Sequence, residues 1–141
     1  MIGNKRILIT GGAGFIGAHV VDYYLKNTDY ELVLLDRLDT SGNLNRLIDL
    51  DSFDVSRVKF VWHDLKAPIN EMVSRAIGVV DDVIHLAAAS HVDRSIEDPL
   101  SFVMDNVVGT TNLLVWAKDG GMQKLYLSVL DGRPTECIGY T

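Results

Sequence analysis

The chain alternates short apolar runs with segments in which apolar residues recur every three or four positions. Runs rich in Ile, Leu and Val are typical of strands buried on both faces of a parallel sheet. They predict strands at 5–10, 31–36, 58–62, 82–86 and 124–128. The helical spacing, with proline and glycine as start and stop signals, predicts helices at 15–27, around 44–50, from Pro68 to Ser74 or Ala76, and from Pro99 to Gly120.

This alternation predicts the α/β class: a Rossmann-like, doubly wound parallel sheet with right-handed crossovers. About five strands are expected, and the pattern stops after Ser128, where Gly132 and Pro134 indicate a turn. We therefore expect a cofactor-binding domain at 1–128, a divergent tail at 129–141, and a fold that is truncated at its C-terminal end. Trp62 and Trp116 are expected in the core.

Composition narrows the class of protein. The chain has 141 residues, 48% of them hydrophobic and 23% charged, which suits one soluble domain with a real core. A net charge of −6 argues against nucleic acid as a partner. Cys137 is the single cysteine, and no apolar run approaches the roughly 20 residues that span a bilayer. We expect no membrane partner, no signal peptide and a cytoplasmic location.

A glycine-rich loop lies between the first predicted strand and the first predicted helix. Gly11, Gly14 and Gly17 are spaced Gly-x-x-Gly-x-x-Gly, a variant of the dinucleotide fingerprint Gly-x-Gly-x-x-Gly. Gly11 can turn the chain, Gly14 lets the backbone approach a pyrophosphate, and Gly17 allows the helix to pack closely. The alternative is a tight turn without a ligand.

Acidic residues follow the second and third strands, at the edge where a cofactor would lie. Asp36 comes about 20 residues after the loop, where an acid accepts hydrogen bonds from ribose hydroxyls and so favours NAD over NADP. Arg37 weakens that preference, because arginine can accommodate a 2′-phosphate. Asp64 and Leu65 could reach the adenine. The alternative for Asp36 is a solvated loop acid. His63 has no second ligand at useful spacing, so we expect no metal site.

Three stretches resemble the extended short-chain dehydrogenase/reductase family, in particular its dTDP-glucose 4,6-dehydratases. The first is the loop at 10–17, whose wider spacing that family uses. The second, at 36–44, resembles the family's Asp-Lys-Leu-Thr-Tyr-Ala-Gly-Asn-Leu. The third, at 85–95, differs from His-Leu-Ala-Ala-Glu-Ser-His-Val-Asp-Arg-Ser chiefly at Ala89, and Asn106 to Thr110 follow it. The resemblance covers roughly residues 7–128.

The resemblance implies a set of residues in contact with NAD. The pyrophosphate would lie against Gly11, Gly14, Phe15, Ile16 and Gly17. The adenosine would lie against Asp36, Arg37, Leu38, Asp39, Asp64 and Leu65. The ribose and nicotinamide would lie against Leu86, Ala87, Ala88, Ala89 and Ser90, and Ser90 would also touch a nucleotide-sugar substrate. Other interpretations stay open: Ala87 and Ala88 as small packing residues, His91 as a structural histidine, and Asp93 with Arg94 as a surface pair.

The resemblance weakens where the family's catalytic groups are expected. Of the segment Ser-Thr-Asp-Glu-Val-Tyr-Gly only Ser128 matches, and Val129 and Leu130 replace its Thr and Asp. Asp131 retains a carboxylate and is the one weak catalytic candidate. Tyr140 has no lysine four residues later. No intact catalytic set is therefore expected.

Several functions follow as hypotheses. The first is the NAD-binding portion of a nucleotide-sugar 4,6-dehydratase that turns dTDP-glucose into dTDP-4-keto-6-deoxyglucose and is not catalytic alone. The alternatives are a fragment of a nucleotide-sugar 4-epimerase, an NAD-binding module without turnover, and a non-functional fragment. The family also implies a possible homodimer through the long helix at 98–118.

Overall fold

The computed structural model describes residues 5–39, 42–87, 96–120, 124–127 and 138–140. Its strands are β1 (Arg6–Thr10), β2 (Glu31–Asp36), β3 (Val58–Trp62), β4 (Asp82–His85), β5 (Lys124–Leu127) and β6 (Ile138–Tyr140). Its α-helices are α1 (Phe15–Asn27), α2 (Asn45–Ile48), α3 (Glu71–Ile77), α4 (Pro99–Val103) and α5 (Gly109–Asp119), and a π-helical segment at Met104–Val108 joins α4 to α5.

The six strands form one sheet in the order β3-β2-β1-β4-β5-β6. The pairs among β1 to β5 are parallel, which confirms the predicted Rossmann-like α/β fold. The strand order reverses at β1, whose Thr10 lies in register with Leu35 of β2 and His85 of β4. In open α/β sheets a crevice for ligands opens at such a switch point, beside the carboxyl ends of the strands.

A hydrophobic core covers each face of the sheet, because alternate residues of a strand point to opposite sides. Ile7 and Ile9 face α1, whereas Leu8 between them faces α3 and Leu113 of α5. The two cores hold the helices against both faces, as the doubly wound arrangement requires. No helix in the described part of the chain is long and apolar enough to cross a membrane.

Helix boundaries depart from the sequence pattern where a polar cap competes with proline. The helix predicted from Pro68 begins at Glu71, because the Asn70 side chain caps it by accepting a hydrogen bond from Val73 N at 2.9 Å. The long helix begins as predicted, with Asp98 accepting from Ser101 N at 3.2 Å and Pro99 in the first turn.

Two further differences concern β6 and Trp62. The short strand β6 pairs antiparallel with β5 and was not predicted. The prediction of Trp62 as a core residue is wrong: the residue is 61% exposed at the end of β3, and its indole N–H donates to Arg37 O at 2.8 Å. Trp116 packs against the core beside α3 and donates to Ser74 Oγ at 2.9 Å.

Candidate functional site

Gly11 makes the turn out of β1 into the crevice. Its φ of +71° is in the left-handed region, and a Cβ placed on it would lie 2.8 Å from Ala87 N. Its N–H donates to Leu35 O at 2.8 Å, which ties the turn to the end of β2. A side chain at Gly11 would therefore be strained and would also collide with the chain leaving β4.

Gly17 lets α1 pack directly on that turn. A Cβ at Gly17 would collide with Gly11 O and would lie 2.8 Å from Gly12 Cα. Gly14 is different: a Cβ there would meet Gly11 O at 3.2 Å and otherwise open space. Gly11 and Gly17 thus serve packing, whereas the backbone at Gly14 is open to an approaching group.

The N-terminus of α1 points its positive end at this opening. Gly14 is the N-cap residue and provides no side-chain cap, and the first turn carries no acidic residue. The first N–H that bonds within the helix is that of Ala18, which donates to Gly14 O at 2.9 Å. Phe15 is 69% exposed beside this turn. An uncapped helix N-terminus of this kind suits an anion.

Asp36 is joined to the glycine loop by a hydrogen bond. Its Oδ2 accepts from Ala13 N at 3.0 Å and its Oδ1 accepts from Leu38 N at 2.9 Å. The residue is buried, so the alternative of a solvated loop acid is wrong. A carboxylate has about four lone-pair sites, and donors from the described residues occupy two of those of Asp36. Leu38 has φ +56°, an unusual value for a bulky residue, in the turn that supplies the second donor.

Arg37 is held by carboxylates. Its Nε donates to Asp39 Oδ2 at 2.9 Å, while Nη1 and Nη2 donate to the two oxygens of Asp105 at 2.6 and 3.0 Å. Asp64 Oδ2 lies 3.7 Å from Nη1. The hydrogen bonds to Asp105 are the main reason that the pKa of Arg37 is raised, although partial burial opposes them.

Asp64 and Leu65 leave the end of β3 in different directions. Asp64 is partly exposed, and its Oδ1 accepts from Lys66 N at 3.0 Å. The Leu65 side chain is buried in the core, and its carbonyl accepts from Asn112 Nδ2 at 2.7 Å. Only the backbone of Leu65 therefore remains for a contact in the crevice.

A buried polar network between β1, β4 and α5 was not predicted. Thr10 Oγ1 accepts from Leu86 N and from Ala87 N, both at 3.2 Å, and lies 2.6 Å from His85 Nδ1. The hydroxyl has one proton, which it therefore donates to Nδ1, so the imidazole carries its proton on Nε2 and donates it to Thr110 Oγ1 at 2.9 Å. Burial lowers the pKa of His85 to about 4, in agreement with a neutral ring.

Of the remaining predicted site residues, two are among the described residues and the others are not. Leu86 and Ala87 lie at the carboxyl end of β4, held by the Thr10 hydroxyl. The predicted residues Ala88, Ala89, Ser90, His91, Asp93, Arg94 and Asp131 lie outside the described residues. Among described residues there is no group of three or more His, Cys, Asp or Glu side chains that could hold a metal ion. One feature of the sequence could have indicated the network at His85: the apolar strands β1 and β4 both end in a polar residue, Thr10 and His85.

The fold and the site together define a Rossmann-like α/β protein with a glycine-rich loop at the switch point of its sheet. The model of the GDP-mannose 4,6 dehydratase family matches residues 8–129. The chain belongs to this family.

Comparisons with individual proteins confirm the resemblance to dTDP-glucose 4,6-dehydratases. The chain is 44% identical over 115 residues to the dTDP-glucose 4,6-dehydratase of Salmonella typhimurium, a match that covers 80% of this chain and 31% of the relative. This chain thus spans about a third of the length of that relative.

Solved structures include both a dehydratase and an epimerase. DesIV, a dTDP-glucose 4,6-dehydratase from Streptomyces venezuelae with NAD and TYD bound, is 38% identical with a TM-score of 0.72, covering 85% of this chain and 38% of DesIV. The UDP-Glc/GlcNAc 4-epimerase from Campylobacter jejuni is 30% identical with a TM-score of 0.77, covering 96% and 44%.

Proposed function

We propose that this chain is the NAD-binding portion of a nucleotide-sugar 4,6-dehydratase. The observation that carries the proposal is the hydrogen bond from Ala13 N to Asp36 Oδ2 at 3.0 Å. It joins the glycine loop and the acid into one surface at the switch point, where a pyrophosphate and a ribose of one dinucleotide need their partners at the same time.

The glycine loop fits the pyrophosphate. Gly11 and Gly17 have no room for a Cβ, whereas Gly14 faces open space next to an uncapped helix N-terminus. In the proposal, N–H groups of Phe15 and Ile16 donate to the pyrophosphate oxygens, because the first turn of a helix has donors without partners inside the helix.

The adenosine half fits the ends of β2 and β3. The bonds of Asp36 to the described residues leave acceptor capacity on its carboxylate, which would accept from the ribose hydroxyls. We propose that Leu38 and Asp39 surround the ribose with Arg37, and that Asp64 reaches the edge of the adenine. For Leu65 the contact would come from its backbone, since its side chain is buried in the core.

The nicotinamide half is assigned to the carboxyl end of β4. Leu86 and Ala87 would lie beside it, with Ala88 and Ala89 continuing the same edge in sequence and Ser90 also contacting the nucleotide sugar. When bound, NAD supplies the two-electron acceptor that oxidation of a sugar hydroxyl requires. The neutral His85 lies beneath this edge in β4 and joins β4 to β1 and to α5 through its hydrogen bonds with Thr10 and Thr110.

We further propose that this chain does not turn over a nucleotide sugar alone. None of its tyrosines is followed by a lysine four residues later, and of the proton-transfer segment only Ser128 and the carboxylate of Asp131 are present. The test is incubation of the chain with dTDP-glucose and NAD. Formation of dTDP-4-keto-6-deoxyglucose by the chain alone would contradict this proposal.

NAD binding is tested by titrating NAD against the chain and against Asp36→Asn by calorimetry. The variant keeps the shape of the side chain but loses its charge and one acceptor, so we expect binding to weaken by about tenfold or more. Asp54→Asn is the matched control, because Asp54 is a partly exposed residue before β3, at the opposite end of the strands. Absence of binding to the unmodified chain, or equal binding by all three proteins, would overturn the proposal.

A 4-epimerase is the second candidate, supported by the similarity to the Campylobacter jejuni enzyme. Both candidates use the same cofactor half, so the ligand distinguishes them. In the presence of NAD, dTDP-glucose should shift the thermal unfolding of the chain more than UDP-glucose does if the dehydratase assignment holds. The reverse order would favour the epimerase.

We also propose that a second copy of the chain covers the long helix. Apolar residues exposed on it recur at a spacing of three, four and seven positions, which is typical of the seam of a helix-to-helix contact: Leu100, Val103, Val107 and Leu114.

A further inference from the structure

The guanidinium of Arg37 is occupied on both of its hydrogen-bonding edges. The edge formed by Nε and Nη2 binds Asp39 Oδ2 at 2.9 and 2.8 Å. The edge formed by Nη1 and Nη2 binds both oxygens of Asp105 at 2.6 and 3.0 Å. Paired, parallel hydrogen bonds of this kind are the strongest that arginine makes with a carboxylate, and they restrict the direction in which the fork can point.

The backbone of Arg37 is also held in place. Its carbonyl accepts from the Trp62 indole at 2.8 Å, and the residue follows Asp36, whose carboxylate is bound to the glycine loop. The side chain therefore lies beside the position proposed for the adenosine ribose. An arginine in this position is the usual partner of the 2′-phosphate of NADP.

Asp105 comes from a distant part of the chain. It lies in the π-helical segment at Met104–Val108, and its side chain is only 10% exposed. Single π-helical turns within a longer helix are frequent at functional sites. The contact thus reaches from the long helix on one face of the sheet to the loop after β2, and Asp105 occupies the Nη1 and Nη2 edge of the Arg37 guanidinium.

The charges around Arg37 oppose a phosphate as well. Four carboxylates lie in this cluster or beside it, those of Asp36, Asp39, Asp64 and Asp105. Among the described residues, the cations paired with these carboxylates are Arg37 and Lys66, with Lys66 Nζ 3.5 Å from Asp64. In the described part of the chain this cluster thus holds more carboxylates than cations, and carboxylates repel the two negative charges of a 2′-phosphate but have little effect on a ribose hydroxyl.

We propose that Asp105 determines cofactor specificity: by holding the Arg37 guanidinium, it withholds from NADP the residue that would bind the 2′-phosphate and so selects NAD. Asp105 is in this sense a positioning residue that acts through Arg37. The inference rests on the proposed function, because it concerns the adenosine end of the same dinucleotide site.

The experiment measures dissociation constants for NAD and for NADP separately, with the full chain, by calorimetry. Asp105→Asn removes the charge with little change of shape, and Asp105→Ala removes the carboxylate that holds this edge of the guanidinium. For each variant we expect NADP to bind about tenfold more tightly than it does to the unmodified chain, since a freed arginine gains charged hydrogen bonds to the phosphate. NAD binding should change little.

The double variant Arg37→Gln with Asp105→Asn is the decisive comparison. The gain in NADP binding should disappear in it, because the proposed phosphate partner is gone. Asp22→Asn is the matched control: it loses a surface pair with Lys26 on α1, so both affinities should stay unchanged. Thermal unfolding of each variant verifies that it is folded.

Three outcomes would overturn the inference. NADP binding that is unchanged in both single variants, with normal NAD binding, refutes the specificity role and leaves the proposed function intact. An equal loss of NAD and NADP binding shows that Asp105 only stabilises the site. Absence of NAD binding to the unmodified chain overturns the proposed function and this inference together.

Discussion

The Thr10 hydroxyl lies 2.6 Å from Nδ1 of His85, and through this contact the two central strands share one buried polar network. On the other side of the ring, Nε2 of His85 forms a hydrogen bond with Thr110 Oγ1 of α5 at 2.9 Å. The network lies directly beneath the edge at which Leu86 and Ala87 begin, so the backbone that would face a nicotinamide depends on one neutral histidine.

Stability should decrease as the pH falls through the range in which His85 titrates. Its pKa is lowered to about 4 by burial, compared with 6.5 for the ordinary side chain. As the pH falls, the unfolded chain therefore binds the proton before the folded chain does. The contribution of the neutral His85 to the free energy of unfolding is fully present above pH 6.5 and is lost progressively towards about pH 4. Its size is about 3 kcal/mol. Urea unfolding measured across this range is the test.

The variant His85→Gln distinguishes the contribution of the histidine to the pH dependence of stability from that of carboxylates, which titrate at the lower end of the same pH range. The variant should be less stable at neutral pH, and its free energy of unfolding should depend less on pH between 6.5 and about 4. An unchanged pH profile in the variant would show that the protonation of His85 is not coupled to folding.

Thr10→Val should destabilise the protein strongly although it preserves the shape of the side chain. The N–H group of Ala87 loses its acceptor and His85 Nδ1 loses its donor, whereas Leu86 N keeps its bond to Thr10 O at 3.1 Å. Each unsatisfied buried group costs about 1–3 kcal/mol. Thr111→Val is the matched control, because the hydroxyl of this exposed residue donates to Val107 O, which is its partner among the described residues. Similar losses in chemical denaturation for both variants would contradict the role of the network.

Gly17→Ala should disrupt the junction of β1 and α1. The added methyl group collides with the backbone of Gly11 and Gly12, which are themselves packed and cannot withdraw. We expect a loss of about 3 kcal/mol or more in the free energy of unfolding, together with loss of NAD binding. Gly120→Ala is the control: its Cβ would meet only ordinary contacts at 3.6 and 3.7 Å, so the melting temperature should change little.

Val107→Glu should weaken self-association if a second copy covers the long helix. A charge in the middle of the apolar seam would have to be buried without a partner. Analytical ultracentrifugation should detect a dimer for the unmodified chain and a monomer for the variant. Val79→Glu places the same charge on an apolar residue that is exposed elsewhere on the surface, and it should leave the dimer intact. A monomeric unmodified chain would refute the proposal.

Local patterns predicted those elements whose ends are set by their own residues. The bounds of α1, β2 and β3 agree with the sequence pattern, because apolar spacing and the flanking glycines and acids act over a few positions. The start of α3 was missed because a side-chain cap from Asn70 determines it rather than Pro68. Trp62 was misplaced because hydrophobicity does not reveal that β3 is an edge strand, whose end leaves this side chain exposed.

The candidate site likewise has features that the sequence predicts and others that depend on contacts between distant segments. The glycine spacing and Asp36 are visible in the sequence, since a loop of few residues and the strand end beside it depend on short-range geometry. The hydroxyl of Thr10 as the partner of His85 depends on the register between β1 and β4, which are separated by 75 positions in the chain. Asp105 reaches Arg37 across 68 positions.

Local sequence patterns are therefore enough to predict the α/β class, the parallel strands, the glycine loop and the acid at the end of β2, because apolar periodicity and turn chemistry act over a few residues. The bond of Asp36 to the loop, the neutral state of His85 and the contact of Arg37 with Asp105 become visible only in the folded chain. These properties depend on burial and on contacts between distant segments, and both arise only when the helices pack on the two faces of the sheet.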